Sequence, residues 1–355
     1  MRLSPGQAAP WFSAPTPSNP TFAFSSVAGR YVLVACLPHD ESGRSAALAA
    51  LAAHQSLFDE SRLLAFGVIR DQASISKAKD RRGVRWFLDA DGEVSRRFGA
   101  LGPDGVERPL WVILDPTLRV LALGDMGDTD RVFSILRSLP HPDDHAAVPM
   151  HAPVLIVPRV FEPALCRRLI DFYEAEGGVR SGVMREVDGK TVGVLDGFKS
   201  RRDAHVADET FQSELRSRIE MRLLRQINLA FQFAATRIER YVVACYDAQE
   251  GGYFRAHRDN TTAGTAHRKF ACSINLNAEE FEGGDLRFPE FGSRTYRPPT
   301  GGAVIFSCSL LHEATPVTRG RRYAFLPFFY DEAGQAVRDQ NRDKLVLPER
   351  ETAEL

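Results

Sequence analysis

The sequence predicts two domains of different class: an α/β layer, then an all-β barrel or jelly roll with helices packed outside it. Three observations predict this. At 355 residues the chain is long for one ordinary domain and comfortable for two. Residues 1–140 alternate strand-like and helix-like segments, the pattern of an α/β layer. From Arg237 onward, short strand-like runs follow one another between Gly251-Gly252, Gly283-Gly284 and Pro298-Pro299, as the strands of a barrel do.

In the first domain, the run Tyr31-Val32-Leu33-Val34-Ala35-Cys36-Leu37 is apolar throughout, as a strand buried on both faces requires. Ser42 to Glu60 is rich in Ala and Leu at helical spacing. Leu63 to Ile69 and Leu110 to Leu114 read as two more buried strands. Asp115-Pro116-Thr117-Leu118 reads as a turn, Arg119 to Leu123 as a return strand, and Thr129 to Leu139 as a closing helix. Residues 141–153 are rich in proline and polar residues and read as a linker. Prolines between its histidines argue against a preset metal geometry.

The second domain is expected over 154–335, with 336–355 as a tail. Val154 to Val157 is a short strand, and Glu162-Pro163-Ala164 opens an amphipathic helix that ends at Gly177-Gly178. Asp208 caps a long helix from Glu209 to about Phe233. Phe211, Leu215, Ile219, Leu223, Ile227 and Phe231 mark its apolar stripe. Between the helices, Lys199-Ser200-Arg201-Arg202-Asp203 reads as a solvated basic loop, with contact to an acidic substrate group as the minority reading. The strands are expected at Arg237 to Tyr246, Tyr253 to Asp259, Lys269 to Asn277, Asp285 to Phe288, Ala303 to Cys308 and Arg322 to Tyr330.

A net charge of −1 points to no nucleic-acid or membrane-surface partner. The longest apolar runs are far short of a membrane span, and the N-terminus lacks the basic-then-apolar order of a signal peptide. Five scattered cysteines, an odd number among apolar neighbours, read as reduced core thiols of a cytoplasmic protein.

Chemistry concentrates between Arg240 and Glu332. In a strand, residues two apart point the same way, so His257 and Asp259 would face one interior, and His312 would add an imidazole from across the barrel. Two His and one carboxylate on one face of an ion leave the opposite face open, the ligand set of non-haem Fe(II) oxygenases. A cation in Arg321-Arg322-Tyr323, about ten residues beyond His312, would hold a dicarboxylate co-substrate. Two rivals stand beside this reading. One is a zinc hydrolase on the same ligands, which lacks a nearby general base. The other is a non-catalytic iron-binding sensor or interaction protein, against which the completeness of the ligand set counts.

Both halves also resemble known families. Ala244-Cys245-Tyr246, Gly252-Tyr253-Phe254-Arg255, His257-Arg258-Asp259-Asn260, Phe281-Glu282-Gly283-Gly284-Asp285-Leu286, His312-Glu313-Ala314-Thr315-Pro316-Val317 and Arg322-Tyr323-Ala324 resemble motifs of the prolyl-4-hydroxylase-like Fe(II)/2-oxoglutarate dioxygenases. That resemblance implies a double-stranded β-helix, with His257, Asp259 and His312 on Fe(II) and Arg322 on the distal carboxylate of 2-oxoglutarate. It places Tyr246 facing the co-substrate. Asn275 stands where relatives often carry a tyrosine. The implied reaction uses O₂ to hydroxylate an unactivated C–H bond of a peptidyl or free amino-acid side chain, releasing succinate and CO₂, with ascorbate as reductant. Asp259 is present where halogenating relatives carry a small residue, so hydroxylation is the expected outcome.

Gly6-Gln7-Ala8-Ala9-Pro10-Trp11-Phe12 and Arg108-Pro109-Leu110-Trp111-Val112-Ile113-Leu114-Asp115-Pro116 resemble the thioredoxin-like peroxiredoxins, with Arg108 at the active-site arginine. Ser45 stands where that family has its peroxidatic cysteine, and a hydroxyl cannot replace a thiolate there. The first domain is therefore expected to be a redoxin fold without peroxidase chemistry. Scaffolding, or a homodimer formed through this domain, is its plain expected role. Binding of a substrate or carrier in the old cleft is the sharper one.

Overall fold

The computed structural model describes residues 3–346. Two compact units result, one of Met1–His151 with Pro289–Ser293, the other of Ala152–Phe288 with Arg294–Leu355.

The first unit is built on a five-stranded sheet: β1 (Tyr31–Cys36), β2 (Leu63–Ile69), β3 (Val84–Leu88), β4 (Leu110–Leu114) and β5 (Val120–Asp125), in the order β3-β2-β1-β4-β5. β1, β2 and β3 run parallel, while β4 and β5 return antiparallel. Every residue of β1, β2 and β4 is buried, as their unbroken apolar runs require. One face packs against α1 (Glu41–Ala53) and α2 (Thr129–Ser138) through Ala47, Leu51, Val132, Phe133 and Leu136. A cluster of Phe12, Phe22, Phe24, Phe66, Phe87 and Phe98 in edge and stacked contacts fills the rest of this core. Val84–Leu88 was absent from the expected strands. Its partial burial and interrupting Arg85 hide it from a search for continuous apolar runs.

The second unit is built mainly on two antiparallel sheets. Its elements are β6 (Leu155–Val157), α3 (Pro163–Glu176), β7 (Lys199–Ser200), β8 (Arg202–His205), α4 (Glu209–Ile219), β9 (Val242–Asp247), β10 (Tyr253–His257) and β11 (Phe270–Asn275). They continue with β12 (Leu286–Arg287), β13 (Ala303–Ser307), β14 (His312–Ala314), β15 (Arg321–Phe325), β16 (Phe328–Tyr330) and α5 (Glu332–Gln340). The larger sheet runs from Arg237–Glu239 through β16, β11, β15, β9 and β8 to Val179–Arg180, with β13 paired to β11 and β6 paired to β13. The smaller is ordered β7-β10-β14-β12 and ends at Thr295–Tyr296.

Alternation along the larger sheet gives it two different faces. Val243, Cys245, Cys272, Ile274, Tyr323 and Phe325 pack on helix residues Leu165, Leu169, Leu215 and Ile219. Ala244 and Tyr246, the intervening residues of β9, pack instead with Ala314 and Phe254 of the smaller sheet. The space between the two sheets is where the candidate site lies.

Two expectations are corrected here. The helix from Glu209 is not continuous to Phe233. A π-helical turn at Glu220–Leu224 separates α4 from a further helix at Arg225–Phe231, and the extra residue it absorbs leaves the apolar stripe buried at Leu215, Ile219, Leu223 and Ile227. Nor does order end at 335: α5 continues to Gln340, and Leu345–Val346 pairs parallel with Lys190–Val194. The remainder of the expected tail lies outside the described residues.

Gly301 shows how tightly this unit is closed. Its φ is +73°, its carbonyl accepts from Val160 and Phe161, and a Cβ built there would meet the Phe161 carbonyl oxygen at 2.1 Å. Gly251 has a similar φ of +68° with open space around it. Gly251→Ala is expected to cost about 1 kcal/mol, the left-handed backbone penalty. Gly301→Ala adds a backbone clash and is expected to cost at least ~2 kcal/mol more. Urea unfolding of the two variants checks this, and equal midpoints contradict it.

Candidate metal and co-substrate site

Among the described residues, one group of three or more His, Cys, Asp or Glu side chains can converge on an ion: His257, Asp259 and His312, whose ligand atoms lie within 4.8 Å of one another. The convergence has a local cause. β10 pairs antiparallel with β14, Phe254 opposite Ala314 and His257 opposite His312, with one more residue on the β10 side between the two pairs. This bulge puts Phe254 and His257 on the same face, although they are three apart. Their rings stack at 3.5 Å, and the two imidazole centroids lie 4.3 Å apart.

The sequence expectation is corrected in two respects. His312 does not reach across a barrel; it is the direct cross-strand partner of His257. Asp259 is not in the strand, which ends at His257. It is placed by its backbone N–H, which donates to the Cys308 carbonyl at 3.0 Å.

Ring orientation follows from local hydrogen bonds. Nδ1 of His257 lies 2.7 Å from the Arg255 carbonyl, and Nδ1 of His312 lies 3.0 Å from the Leu310 carbonyl. A carbonyl only accepts, so each Nδ1 is a donor, which leaves each Nε2 as the ring atom that can bind a metal. The two Nε2 atoms face Asp259, His257 at 3.5 Å from Oδ1 and His312 at 3.3 Å from Oδ2. Metal bonds of ~2.1 Å at right angles separate ligand atoms by ~3 Å, so this spacing suits one ion. Burial holds His312 down to about 4, against the pull of Asp259, so it is the neutral ligand form near pH 7. Burial alone would raise Asp259, but His312, His257 and Arg268 together hold its carboxyl well below the usual range.

Behind the ligands stands Arg322, 3% exposed on the inner face of β15. Its Nη2 donates to Ser273 Oγ at 2.8 Å and its Nε to Asn275 Oδ1 at 3.4 Å. Asn275 is held in turn by donating from Nδ2 to the Pro298 carbonyl at 2.9 Å. The guanidinium lies 5.1 Å from the centre of the Tyr246 ring, and its Nη1 is buried without an acceptor. Desolvation pulls the Arg322 pKa down, only partly offset by Tyr246 and Asp285. Arg321 points outward and pairs with Asp247 at 2.8 Å.

Tyr246, Asn275 and Arg322 are thus brought together on one face. Ser273 was missed, although its spacing of two from Asn275 was a usable signal. Phe254 was missed because the bulge that turns it inward leaves no trace in spacing. The basic run Lys199–Asp203 is not a solvated loop. Arg202 points outward to Glu250 at 3.3 Å, while Arg201 is buried and pairs with Asp203 at 2.5 Å.

In the first unit, Ser45 is exposed within α1, and Arg108 is exposed and paired with Asp104 at 3.3 Å. Cys36 is buried inside β1 and its thiol is pushed up by burial. All five cysteines are free and buried. No helix among the described residues is long and apolar enough to cross a membrane.

Residues 241–330 match the model of the 2OG-Fe(II) oxygenase superfamily, and residues 5–122 match that of the AhpC/TSA family. The C-terminal part of the chain is therefore of oxygenase type and the N-terminal part redoxin-like. Among similar proteins, a PKHD-type hydroxylase of Synechococcus sp. (strain JA-2-3B'a(2-13)) is 32% identical over 105 residues, 27% of this chain and 46% of the relative. Another PKHD-type hydroxylase, from Cupriavidus metallidurans, is 32% identical over 116 residues, 30% of this chain and 50% of the relative. The chain spans about half the length of these curated relatives. A solved prolyl hydroxylase from Trichoplax adhaerens, in complex with a hypoxia inducible factor oxygen degradation domain peptide fragment, aligns with 52% of this chain and 86% of its own. Its TM-score is 0.43 and its identity 18%.

The buried neutral His312 carries a pH signature for the metal-free protein. Its folded pKa of about 4 lies below the ordinary 6.5, so between these values the unfolded chain binds more protons. The stability it contributes is complete above about pH 6.5 and drains away as pH falls toward 4, by roughly 3 kcal/mol in all. His312→Gln is expected to flatten that part of the stability–pH curve, measured by urea unfolding. An unchanged slope contradicts it.

Proposed function

We propose that this protein is an Fe(II)- and 2-oxoglutarate-dependent hydroxylase. The observation that carries the reading is the pairing of the His257–Asp259–His312 cluster with a buried guanidinium, Arg322, that has a donor to spare. Two imidazoles and one carboxylate match the donor set of non-haem iron oxygenases. The unsatisfied Nη1 fits a carboxylate group, since an unpaired buried cation is costly and a carboxylate accepts from a guanidinium on two oxygens. The two antiparallel sheets support a double-stranded β-helix for this domain.

In this mechanism His257, Asp259 and His312 would hold the metal, a set of three ligands that leaves room for 2-oxoglutarate and O₂. Arg322 binds the distal carboxylate, with Ser273 and Asn275 fixing the plane of its guanidinium. Tyr246 flanks that group and, with Phe254, shields the cavity from bulk water. Bound Fe(II) supplies the coupling of 2-oxoglutarate decarboxylation to C–H oxidation, giving succinate and CO₂. No side chain is required as a general base, and ascorbate serves as external reductant. The names of the similar hydroxylases favour hydroxylation, and a peptidyl or free amino-acid side chain is the proposed substrate. The redoxin-like domain lacks a thiol at the expected peroxidatic position, and we assign it a scaffolding role, including homodimer formation.

The test is succinate release from 2-oxoglutarate by purified protein supplied with Fe(II). Turnover is expected in the wild type and is expected to fall to background in His257→Ala. Arg322→Met is expected to raise KM for 2-oxoglutarate by about 10–100-fold, the worth of a charge-assisted pair. Absence of succinate from the wild type, with Fe(II) and candidate substrates supplied, overturns the reading.

A further inference from the structure

We propose that Lys199 and Arg201, with Ser181, form a second anion site that receives a carboxylate of the molecule to be oxidised, so that the substrate is acidic or carries an acidic residue. This rests on the oxygenase reading above and deepens it by naming a substrate class.

Both cations face the interior of the second unit. Arg201 is 7% exposed; its Nη2 donates to Asp203 at 2.5 Å and to Ser181 Oγ at 3.4 Å, and its Nη1 to the Tyr246 hydroxyl at 3.3 Å. Its Nε is buried without an acceptor. The Lys199 ammonium donates to the same Ser181 Oγ at 2.6 Å and to the Gly182 carbonyl at 2.9 Å. Two cations thus share one neutral hydroxyl, and a single carboxylate, Asp203, is hydrogen-bonded to one of them. A structural ion pair accounts for Asp203 and half of Arg201. It leaves Lys199 hydrogen-bonded only to neutral oxygens, with Asp203 and Asp259 acting on it without a hydrogen bond, and it leaves Arg201 Nε without an acceptor.

Position ties this charge to the chemistry. Lys199 lies over the Phe254 ring at 4.9 Å and Arg201 at 5.9 Å. Another neighbour of that ring is His257 of the candidate metal cluster, stacked on it at 3.5 Å. An anion held by the pair therefore sits one aromatic ring from the iron site. In the oxygenase reading the co-substrate is not the anion concerned, because its two carboxylates would go to the metal and to Arg322. Burial, then the neighbouring Arg201, hold the Lys199 ammonium well below the ordinary lysine range, a strain that an incoming carboxylate relieves. The pair would select acidic over amide-bearing molecules by leaving the Lys199 ammonium and Arg201 Nε without a carboxylate when the wrong one binds.

The experiment uses full-length protein, anaerobic, loaded with Mn(II) and 2-oxoglutarate and titrated calorimetrically. The probes are N-acetyl-L-glutamate α-methylamide and a blocked pentapeptide Gly-Gly-Glu-Gly-Gly, each against its glutamine counterpart. At least one acidic probe is expected to bind tenfold or more tighter than its amide, and Lys199→Gln is expected to remove the difference. Arg201→Met combined with Asp203→Leu removes the buried pair whole and is expected to do the same, should the single change perturb folding. Equal binding of acid and amide, no binding of either acidic probe, or a preference that survives both variants overturns the proposal. Co-substrate binding is followed separately, by the visible charge-transfer band of the anaerobic Fe(II) protein with 2-oxoglutarate. A band present in the wild type and lost in both variants assigns the cations to the co-substrate and overturns the proposal. A wild type without the band overturns the oxygenase reading itself, and this one with it.

Discussion

The pairing of His257 with His312 across two short antiparallel strands is the constraint on which the candidate site depends. Side chains alternate with a period of two, so a slip of one residue would turn one imidazole out of the interior. β14 is only three residues long and has little stability of its own. It is held by neighbours on both sides, β10 and β12, and by the packing of Ala314 against Ala244, Tyr246 and Phe281. The bulge in β10 then decides which residues share the metal face, bringing Phe254 under His257 at the expense of regular pairing.

The larger sheet does the complementary work. Its outer residues are apolar and bind it to the helices, which supply the hydrophobic stabilisation of the unit. Its inner residues, Tyr246, Ser273, Asn275 and Arg322, could be polar because the interior they face is built for ligands rather than for close apolar packing. A guanidinium placed there with one donor unsatisfied destabilises the ligand-free fold. Rigid strands anchored by a separate apolar core can tolerate that cost. Site and stability are thus assigned to opposite faces of the same strands.

Much of this was legible in the sequence, and the exceptions share a cause. The buried strands at Tyr31–Cys36, Leu63–Ile69 and Leu110–Leu114 announce themselves because no polar residue interrupts them. The inner face of β15 follows from alternation alone, which separates Arg322 from the outward Arg321. What stayed hidden depends on departures from period. The β10 bulge, the π-helical turn at Glu220–Leu224 and the release of Asp259 from its strand each shift a register by about one residue, and composition does not record such shifts. The basic run at Lys199–Asp203 was hidden for another reason. Its burial depends on Ser181, Tyr246 and Phe254, which reach it from distant parts of the chain.

The most direct test of the account is an anaerobic crystal structure of the protein with Mn(II) and 2-oxoglutarate. The account predicts one ion bound by Nε2 of His257, Nε2 of His312 and the Asp259 carboxylate, with the far carboxylate of the keto acid on Arg322 Nη1. An ion bound elsewhere, or a keto acid that leaves Arg322 without a carboxylate, would contradict it.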